Sequence, residues 1–316
     1  VAVTSARRFL VQNFEYPLDR ASLLDADKIG LTCAESESLA APLPHNSLRD
    51  LYWRTIRASM RLGSKLSEGV KLGFDTGFDS GSTLDYVYRN QPSGKGGLGR
   101  MIDQNYLNSI GWRGIRQRKL SVEELLRLTM AKLREEGRPV RIVDIAAGHG
   151  RYILEALQGV SPLPESILLR DYSDTNVREG GALIRDKGLG DIAQFVKGDA
   201  FNRADLAALE LKPTLAVVSG LYELFADNTM VGGSLAGLAE AVEPGGYLVY
   251  TGQPWHPQLE LIARALTSHR QGQAWVMRRR SQAEMDQLVE AAGFRKITQR
   301  VDEWGIFTVS LAQRMQ

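Results

Sequence analysis

The stretch VDIAAGHGRY, residues 143–152, decides how the rest of the chain is read. It opens with alternating apolar residues, as a buried strand does, and closes like the first turn of a helix. Between the two, Ala146, Ala147, Gly148 and Gly150 keep side chains short, so a ligand can approach the backbone closely. The start of the next helix presents unpaired amides that favour an anion or a carboxylate. In open α/β sheets, ligands bind beyond the carboxyl ends of the strands. The small-residue loop at 144–150 is therefore a candidate ligand loop, with His149 set between its two glycines.

Downstream of this loop, β-rich runs alternate with helical ones. Strands are expected at 140–145, 166–171, 192–197, 214–219 and 246–251, and helices at 150–158, 175–187, 202–210 and 230–241. That alternation is the pattern of a doubly wound, mostly parallel sheet. A longer excursion covers 253–280. Ser281 and Glu284 form a capping box that opens a helix to about 291, and GFRKITQRV and GIFTVSLAQ close the chain as an antiparallel pair.

Upstream, helical periodicity predominates and no strand ladder is evident. Ser47 opens a helix with Leu48, Leu51, Tyr52 and Ile56 on one face, a short helix or turn covers 83–90, and another helix covers 100–110. Ser121 and Glu124 form a second capping box, from which a helix runs over Leu125, Leu126, Leu128 and Leu133 until Gly137 and Pro139 stop it. DTGFDSGS (75–82) and QPSGKGGLG (91–99) are expected loops. In the first 46 residues Asp19, Asp25, Asp27, Glu35 and Glu37 outnumber the basic residues. Two domains are expected: a helical cap or substrate segment over 1–136 and a ligand-binding α/β domain over 137–316.

With 316 residues and 43% hydrophobic content the chain can bury a sizeable core. Its net charge of +2 gives no argument for nucleic acid. One cysteine, Cys33, excludes an intrachain disulfide and fits a reducing compartment. No apolar run has membrane-spanning length, so a cytoplasmic protein is expected. No His/carboxylate group has convincing metal spacing.

The loop also separates ligand types. A dinucleotide needs G-x-G-x-x-G to admit pyrophosphate; here the spacing is D-x-A-x-G-x-G. The leading acid, Asp144, would repel pyrophosphate but suits orienting loop amides or meeting a cation. Asp171, twenty-seven residues further on, ends the second strand, where an acid holds ribose hydroxyls. The pattern favours a nucleoside with a cationic amino-acid tail.

These features resemble the class I S-adenosylmethionine-dependent methyltransferases. The family's first motif matches Asp144, Ala146, Gly148 and Gly150, with Ala146 standing where a glycine is usual. Its ribose-binding acid matches Asp171 in LLRDYSDTNV, and its adenine-contacting acid matches Asp199 in VKGDAF. Its motif after strand four matches VVSGLYELF (217–225), and its Pro-Gly-Gly turn matches EPGGYLVYTG (243–252). The resemblance covers about 139–316. The stretches YTGQPWHPQLELIARALTSHR and AWVMRRR are similar to a poorly characterised bacterial methyltransferase-like subgroup, sometimes joined to hydrolases.

The resemblance implies S-adenosylmethionine as cofactor, held by Asp144, Ala146, Gly148, His149, Gly150, Tyr152, Asp171, Tyr172, Asn176, Asp199, Ala200, Phe201 and Ser219. Tyr152, Tyr172 and Tyr222 each follow a motif at the sheet's carboxyl edge. An aromatic face attracts a sulfonium by roughly 0.5–2 kcal/mol; ordinary packing is the alternative. Glu223 is a candidate general base or amine-holding group, and equally a salt-bridged glutamate. His256 and His269 are candidate bases. Tyr222, Glu223 and His256 form the expected catalytic set, and Tyr86, Asn105 and Tyr106 the expected lining of the cap.

Two basic stretches, 88–119 and 264–280, suit either a solvated face or an anionic substrate. The expected activity is methyl transfer to a small, anionic or carrier- or lipid-linked metabolite. The alternative is a cyclase that converts S-adenosylmethionine itself to azetidine-2-carboxylate and methylthioadenosine, and a third reading is a non-catalytic binding module. The expected partner is a small molecule, or the cofactor alone, and no nucleic acid.

Overall fold

The computed structural model describes residues 31–315. Asp19, Asp25 and Asp27 lie outside them. Seven strands form one sheet in the order β3-β2-β1-β4-β5-β7-β6. They are β1 (Arg141–Asp144), β2 (Ser166–Asp171), β3 (Ala193–Lys197), β4 (Leu215–Val218), β5 (Tyr247–Gly252), β6 (Phe294–Val301) and β7 (Thr308–Arg314). β1 to β5 pair in parallel, whereas β7 runs antiparallel between β5 and β6. The order reverses at β1, which places the loop after β1 at the switch point where a ligand crevice opens.

Six helices precede the sheet in the described residues: α1 (Leu31–Ala40), α2 (Leu48–Gly63), α3 (Glu68–Thr76), α4 (Gly81–Arg89), α5 (Gly96–Leu107) and α6 (Ile110–Glu135). Within and after the sheet come α7 (Arg151–Ala156), α8 (Asp174–Asp186), α9 (Arg203–Ala207), α10 (Asn228–Ala241), α11 (Leu259–Ala265) and α12 (Gln282–Ala291). Serine side chains cap α2, α3, α4, α8 and α12 by accepting an orphan amide, Ser47 and Ser281 among them as the sequence predicts.

The Ser121 capping box is a correction. α6 runs unbroken through it from Ile110, so Ser121 is a mid-helix residue. The run of buried positions Trp112, Ile115, Val122, Leu125, Leu126, Met130 and Leu133 continues across the site, and tertiary packing overrides the local signal. Gly114 does not break this helix. A side chain there would approach the Phe307 ring to 3.0 Å, so the glycine serves close packing. Leu128 faces outward, and so do Leu48, Leu51 and Tyr52 of α2, whose buried residue is Trp53.

Two hydrophobic layers cover the sheet. One packs α6, α7 and α8 against Ile142, Leu169, Leu215 and Val249; the other packs α9, α10 and α12 against Val143, Ala216, Val218 and Leu248. A third cluster joins the cap helices to the 253–280 excursion through Phe78, Tyr86, Trp112, Trp275 and Phe307. α6 contributes to the first and third clusters, so it binds cap to sheet. Leu126→Ala, at a fully buried site on this helix, should lower unfolding stability by roughly 2–5 kcal/mol in urea denaturation.

Candidate functional site

The β1–α7 loop has almost no side chains of its own, so other elements hold it. Beneath it, Asp144 is fully buried. Its Oδ1 accepts the Ala146 N–H at 3.4 Å and its Oδ2 accepts the Tyr152 hydroxyl at 2.5 Å. Burial raises the Asp144 carboxyl to about pKa 7, against the lowering effect of those two bonds. Beside the loop, Asp171 Oδ2 accepts the Gly148 N–H at 3.0 Å, and its Oδ1 accepts the Ser173 N–H at 2.9 Å. Burial raises the Asp171 pKa as well. Gly150 has φ 72°, and a side chain there would come within 2.4 Å of Leu169 Cδ1. Only glycine fits that corner.

Above the loop, the cap closes over it. Arg151 Nε donates to Asp85 Oδ1 at 2.6 Å, and His149 Nε2 lies 3.3 Å from Ser82 Oγ. Burial lowers the His149 pKa. His149 therefore tethers the loop to α4. A second clasp joins the α3–α4 turn to the excursion. Phe78 N–H donates to Thr267 O at 2.8 Å, and Asp79 accepts from Ser268 Oγ and His269 N–H, both at 2.6 Å. Gly77, with φ 97°, lets the backbones meet; a side chain there would sit 2.1 Å from His269 N.

Between loop and cap lies a cavity of about 640 Å³, within the size range of ligand sites. Ala146, Gly148, His149, Gly150, Tyr152, Asp171, Tyr172, Asn176, Asp199, Ala200, Phe201 and Ser219 all reach its wall. Asp144 does not line it; it lies beneath the loop and accepts the Ala146 amide, the loop-orienting role the sequence also offered. Tyr152 borders the cavity, and its hydroxyl is engaged by Asp144. Tyr172 is about half exposed at the rim, its ring 5.7 Å from that of His269. Asp79, Ser82, Asp85 and Arg270 also line the cavity; Arg270 belongs to the basic stretch 264–280, and no sequence motif marked the other three.

A smaller chamber of about 160 Å³ adjoins it, walled by Trp112, Ile115, Leu261, Ile262, Trp275, Met277 and Phe307. Asp79, Leu84, Gly220 and Leu224 line both spaces. Of the three expected catalytic residues, Glu223 and His256 face this chamber and Tyr222 faces neither space. The Tyr222 hydroxyl lies 3.0 Å from Ser234 Oγ within the core, and burial pushes its pKa far up. Glu223 is buried and ion-paired with Arg118 at 3.1 Å, which realises its salt-bridged alternative. His256 Nδ1 accepts the Gln258 N–H at 3.0 Å, and burial lowers its pKa to about 4. The neutral ring then carries its proton on Nε2, so His256 offers a donor and no base. Of the expected cap residues, Tyr106 lines the chamber. Tyr86 is bonded to Asp103 and Ser93, and Asn105 is exposed.

The arginines of the basic stretch 264–280 are bonded largely within the protein. Arg280 donates to the carbonyls of Tyr222 and Phe225 and to Asn228; Arg278 donates to Ala226 O and Glu284; Arg270 donates to Leu224 O. These side chains clamp the turn after β4 from within the protein. Arg264 and Arg279 tie α1 to the excursion through the carbonyls of Ser38 and Ala41 and through Glu35. Most of the charge of 264–280 is thus engaged in internal bonds, while Arg270 also reaches the wall of the larger cavity.

A family model described as "Putative methyltransferase" matches residues 6–314. The chain is 54% identical over 303 residues to "Uncharacterized protein YnbC" of Escherichia coli K12, covering 96% of this chain and 50% of that protein. It thus spans about half the length of that curated relative. Among solved structures it is similar to one described as a "possible exported protein" from Bordetella parapertussis. That match has a TM-score of 0.64 and 17% identity, and covers 95% of this chain and 98% of the other. It is also similar to magnesium protoporphyrin IX methyltransferase from Synechocystis PCC 6803 with bound SAH. There the TM-score is 0.50 and identity 15%, over 76% of this chain and 97% of the other. These two likenesses speak to fold. No helix among the described residues is long and apolar enough to cross a membrane.

The raised Asp144 pKa gives a signed prediction. A carboxyl raised from its usual value contributes stability that is full below the unfolded pKa and is lost as pH rises through the folded one. Relative to Asp144→Asn, the wild-type protein should lose melting temperature as pH rises from about 4 to about 7 and change little above that. Melting curves of both proteins across that range check it; a constant difference would refute the buried placement.

Proposed function

The chain belongs to the methyltransferase family whose model spans residues 6–314, and we propose that it binds S-adenosylmethionine in the larger cavity and methylates a small molecule held in the adjoining chamber. One observation carries this reading: the loop cavity and the apolar chamber share the walls Asp79, Leu84, Gly220 and Leu224. A cofactor space thereby lies directly beside a second, largely apolar space.

The residues present fit such a cofactor. Asp171 offers a carboxylate at the end of β2 for ribose hydroxyls, with Asn176 beside it on α8. Asp199, Ala200 and Phe201 form the wall suited to the adenine ring, and the Phe201 ring supplies an apolar face. The loop's small residues, with His149 and Ser219, face the remaining length of the cavity. When bound, S-adenosylmethionine supplies a methyl group activated by a positively charged sulfur.

The protein's own contribution is alignment and exclusion of water. The clasp of Asp79 on residues 268 and 269 and the ion pair of Asp85 with Arg151 close the cap over the cavity. The arginine clamp fixes the turn from Tyr222 to Ala226 that separates the two spaces. Glu223 is held by Arg118 and His256 presents a proton, so neither is assigned as a free base. This favours an acceptor that reaches the chamber already nucleophilic. The chamber itself supports an external acceptor over intramolecular cyclisation, which needs no second space.

Asp171→Ala should weaken S-adenosylmethionine binding at least tenfold in calorimetry, since hydrogen bonds to a charged group are worth about 1.5–3 kcal/mol each. Unchanged affinity would sink the assignment of this cavity. Incubation with S-adenosylmethionine alone should yield no methylthioadenosine beyond the spontaneous background. Rapid enzyme-dependent release would establish the cyclase and overturn methyl transfer.

A further inference from the structure

The outer face of α2 carries an apolar stripe that no described residue covers. Leu48, Leu51, Tyr52 and Leu62 are between 56% and 88% exposed. Leu48, Tyr52, Thr55, Ser59 and Leu62 recur at alternating spacings of four and three, so they lie in one line along the helix. That line is about 20 Å long. Its two hydroxyls are satisfied by the helix itself: Thr55 Oγ1 donates to Leu51 O at 2.9 Å, and Ser59 Oγ donates to Ile56 O at 2.8 Å. Beyond the end of the helix, Lys95 N–H donates to Leu66 O at 2.8 Å. This brings the start of α5 alongside, where Leu98 and Met101 are exposed.

Basic residues border the stripe. Arg54, Arg57 and Arg61 run along one flank of α2, Lys65 follows, and Lys95 and Arg100 stand at the start of α5; all six are exposed. Among the described residues, the side chains of Arg57, Lys65, Lys95 and Arg100 form no ion pair. Of the nearby acids, Asp50 accepts the Asn46 N–H and pairs with Arg54, and Glu68 is exposed. The charge argues against a second copy of this chain, because an isologous contact brings the same patch to both sides and sets arginine against arginine. Leucine is also under-represented among the residues that anchor protein interfaces. A helix lying flat at the surface of an anionic bilayer uses this combination: apolar side chains on one face, with arginine and lysine beside them.

We propose that the outer face of α2, with the start of α5, docks on an anionic lipid bilayer. The leucines enter the boundary of the acyl chains, and the arginines and lysines meet the headgroup phosphates. The contact is peripheral and reversible. The inner side of the same helix reaches the smaller chamber through Met60, so the bilayer lies one helix diameter, about 10–12 Å, from it. Docking is a property of the surface and does not depend on the methyl-transfer reading.

The test is flotation of the full chain with vesicles of two compositions: equal parts of phosphatidylcholine and phosphatidylglycerol, and phosphatidylcholine alone. The wild-type protein should bind the anionic vesicles at least tenfold more tightly, and high salt should remove most of that preference. Leu48→Ser, Leu51→Ser and Leu62→Ser together remove the apolar stripe. Arg54→Gln, Arg57→Gln and Lys65→Gln together remove the flanking charge. Each triple variant should lose at least tenfold in affinity for the anionic vesicles while melting close to the wild type, because all six side chains are exposed. Where a triple variant fails to fold, Arg57→Glu carries the same test with one exposed change and should lose about tenfold.

Equal binding to both kinds of vesicle would overturn the proposal. So would binding to neither, which is what an acidic protein partner predicts. Undiminished binding by the variants would place the contact elsewhere on the chain and overturn it too. Sedimentation of the wild type without lipid covers the remaining occupant. A dimer that the serine variant abolishes would assign this face to a second copy and sink the bilayer.

Discussion

A ligand loop made of alanine and glycine cannot hold its own shape, and the rest of this molecule is arranged around that constraint. Small residues give a ligand access to the backbone but leave the loop free to take many conformations. The loop is therefore fixed by neighbours on three sides. Asp144 and Tyr152 brace it from below, Asp171 holds the Gly148 amide from the side, and Asp85 grips Arg151 from above. The first two braces belong to the sheet and the third to the cap. A correctly formed loop thus requires both parts of the chain to be in place.

The same division explains what could be read from the sequence. The sheet was legible because its signals are local: β-branched runs, small-residue turns and serine caps recur at the spacing that a parallel sheet imposes. The residues that reach the larger cavity follow those strands directly, so motif order located them. Three kinds of information were not local. Tyr222 follows a sheet-edge motif, but the 3₁₀ turn at Tyr222–Leu224 leaves its ring among core residues with its hydroxyl beside Ser234. Ser121 has the pattern of a cap, yet the helix around it is sustained by packing on both flanks. Asp79 and Asp85 belong to no motif, because their partners lie 190 and 66 residues away.

The basic residues carry a related lesson. A run such as Arg278, Arg279 and Arg280 looks like an exposed charged face when seen alone. In the fold, Arg278 and Arg280 are almost completely buried, and much of their bonding goes to carbonyl oxygens of one turn. A guanidinium suits this task because its planar fork can satisfy several acceptors at once. The turn after β4 carries irregular backbone through a buried region, where its carbonyls need partners. Arginine supplies them without adding another strand or helix.

The clasp between Asp79 and residues 268 and 269 has a consequence for how the protein is made. It joins positions separated by 189 and 190 residues, with most of the sheet's sequence between them. Contacts of such long range require a large loop to close, and they come late when a chain grows from its N-terminus. During synthesis the cap helices emerge first but have nothing to close upon until the excursion after β5 has left the ribosome. The aromatic surfaces of Phe78 and Trp112 must wait through that interval for Trp275 and Phe307. The chamber therefore cannot form until residues from both before and after the parallel strands are present.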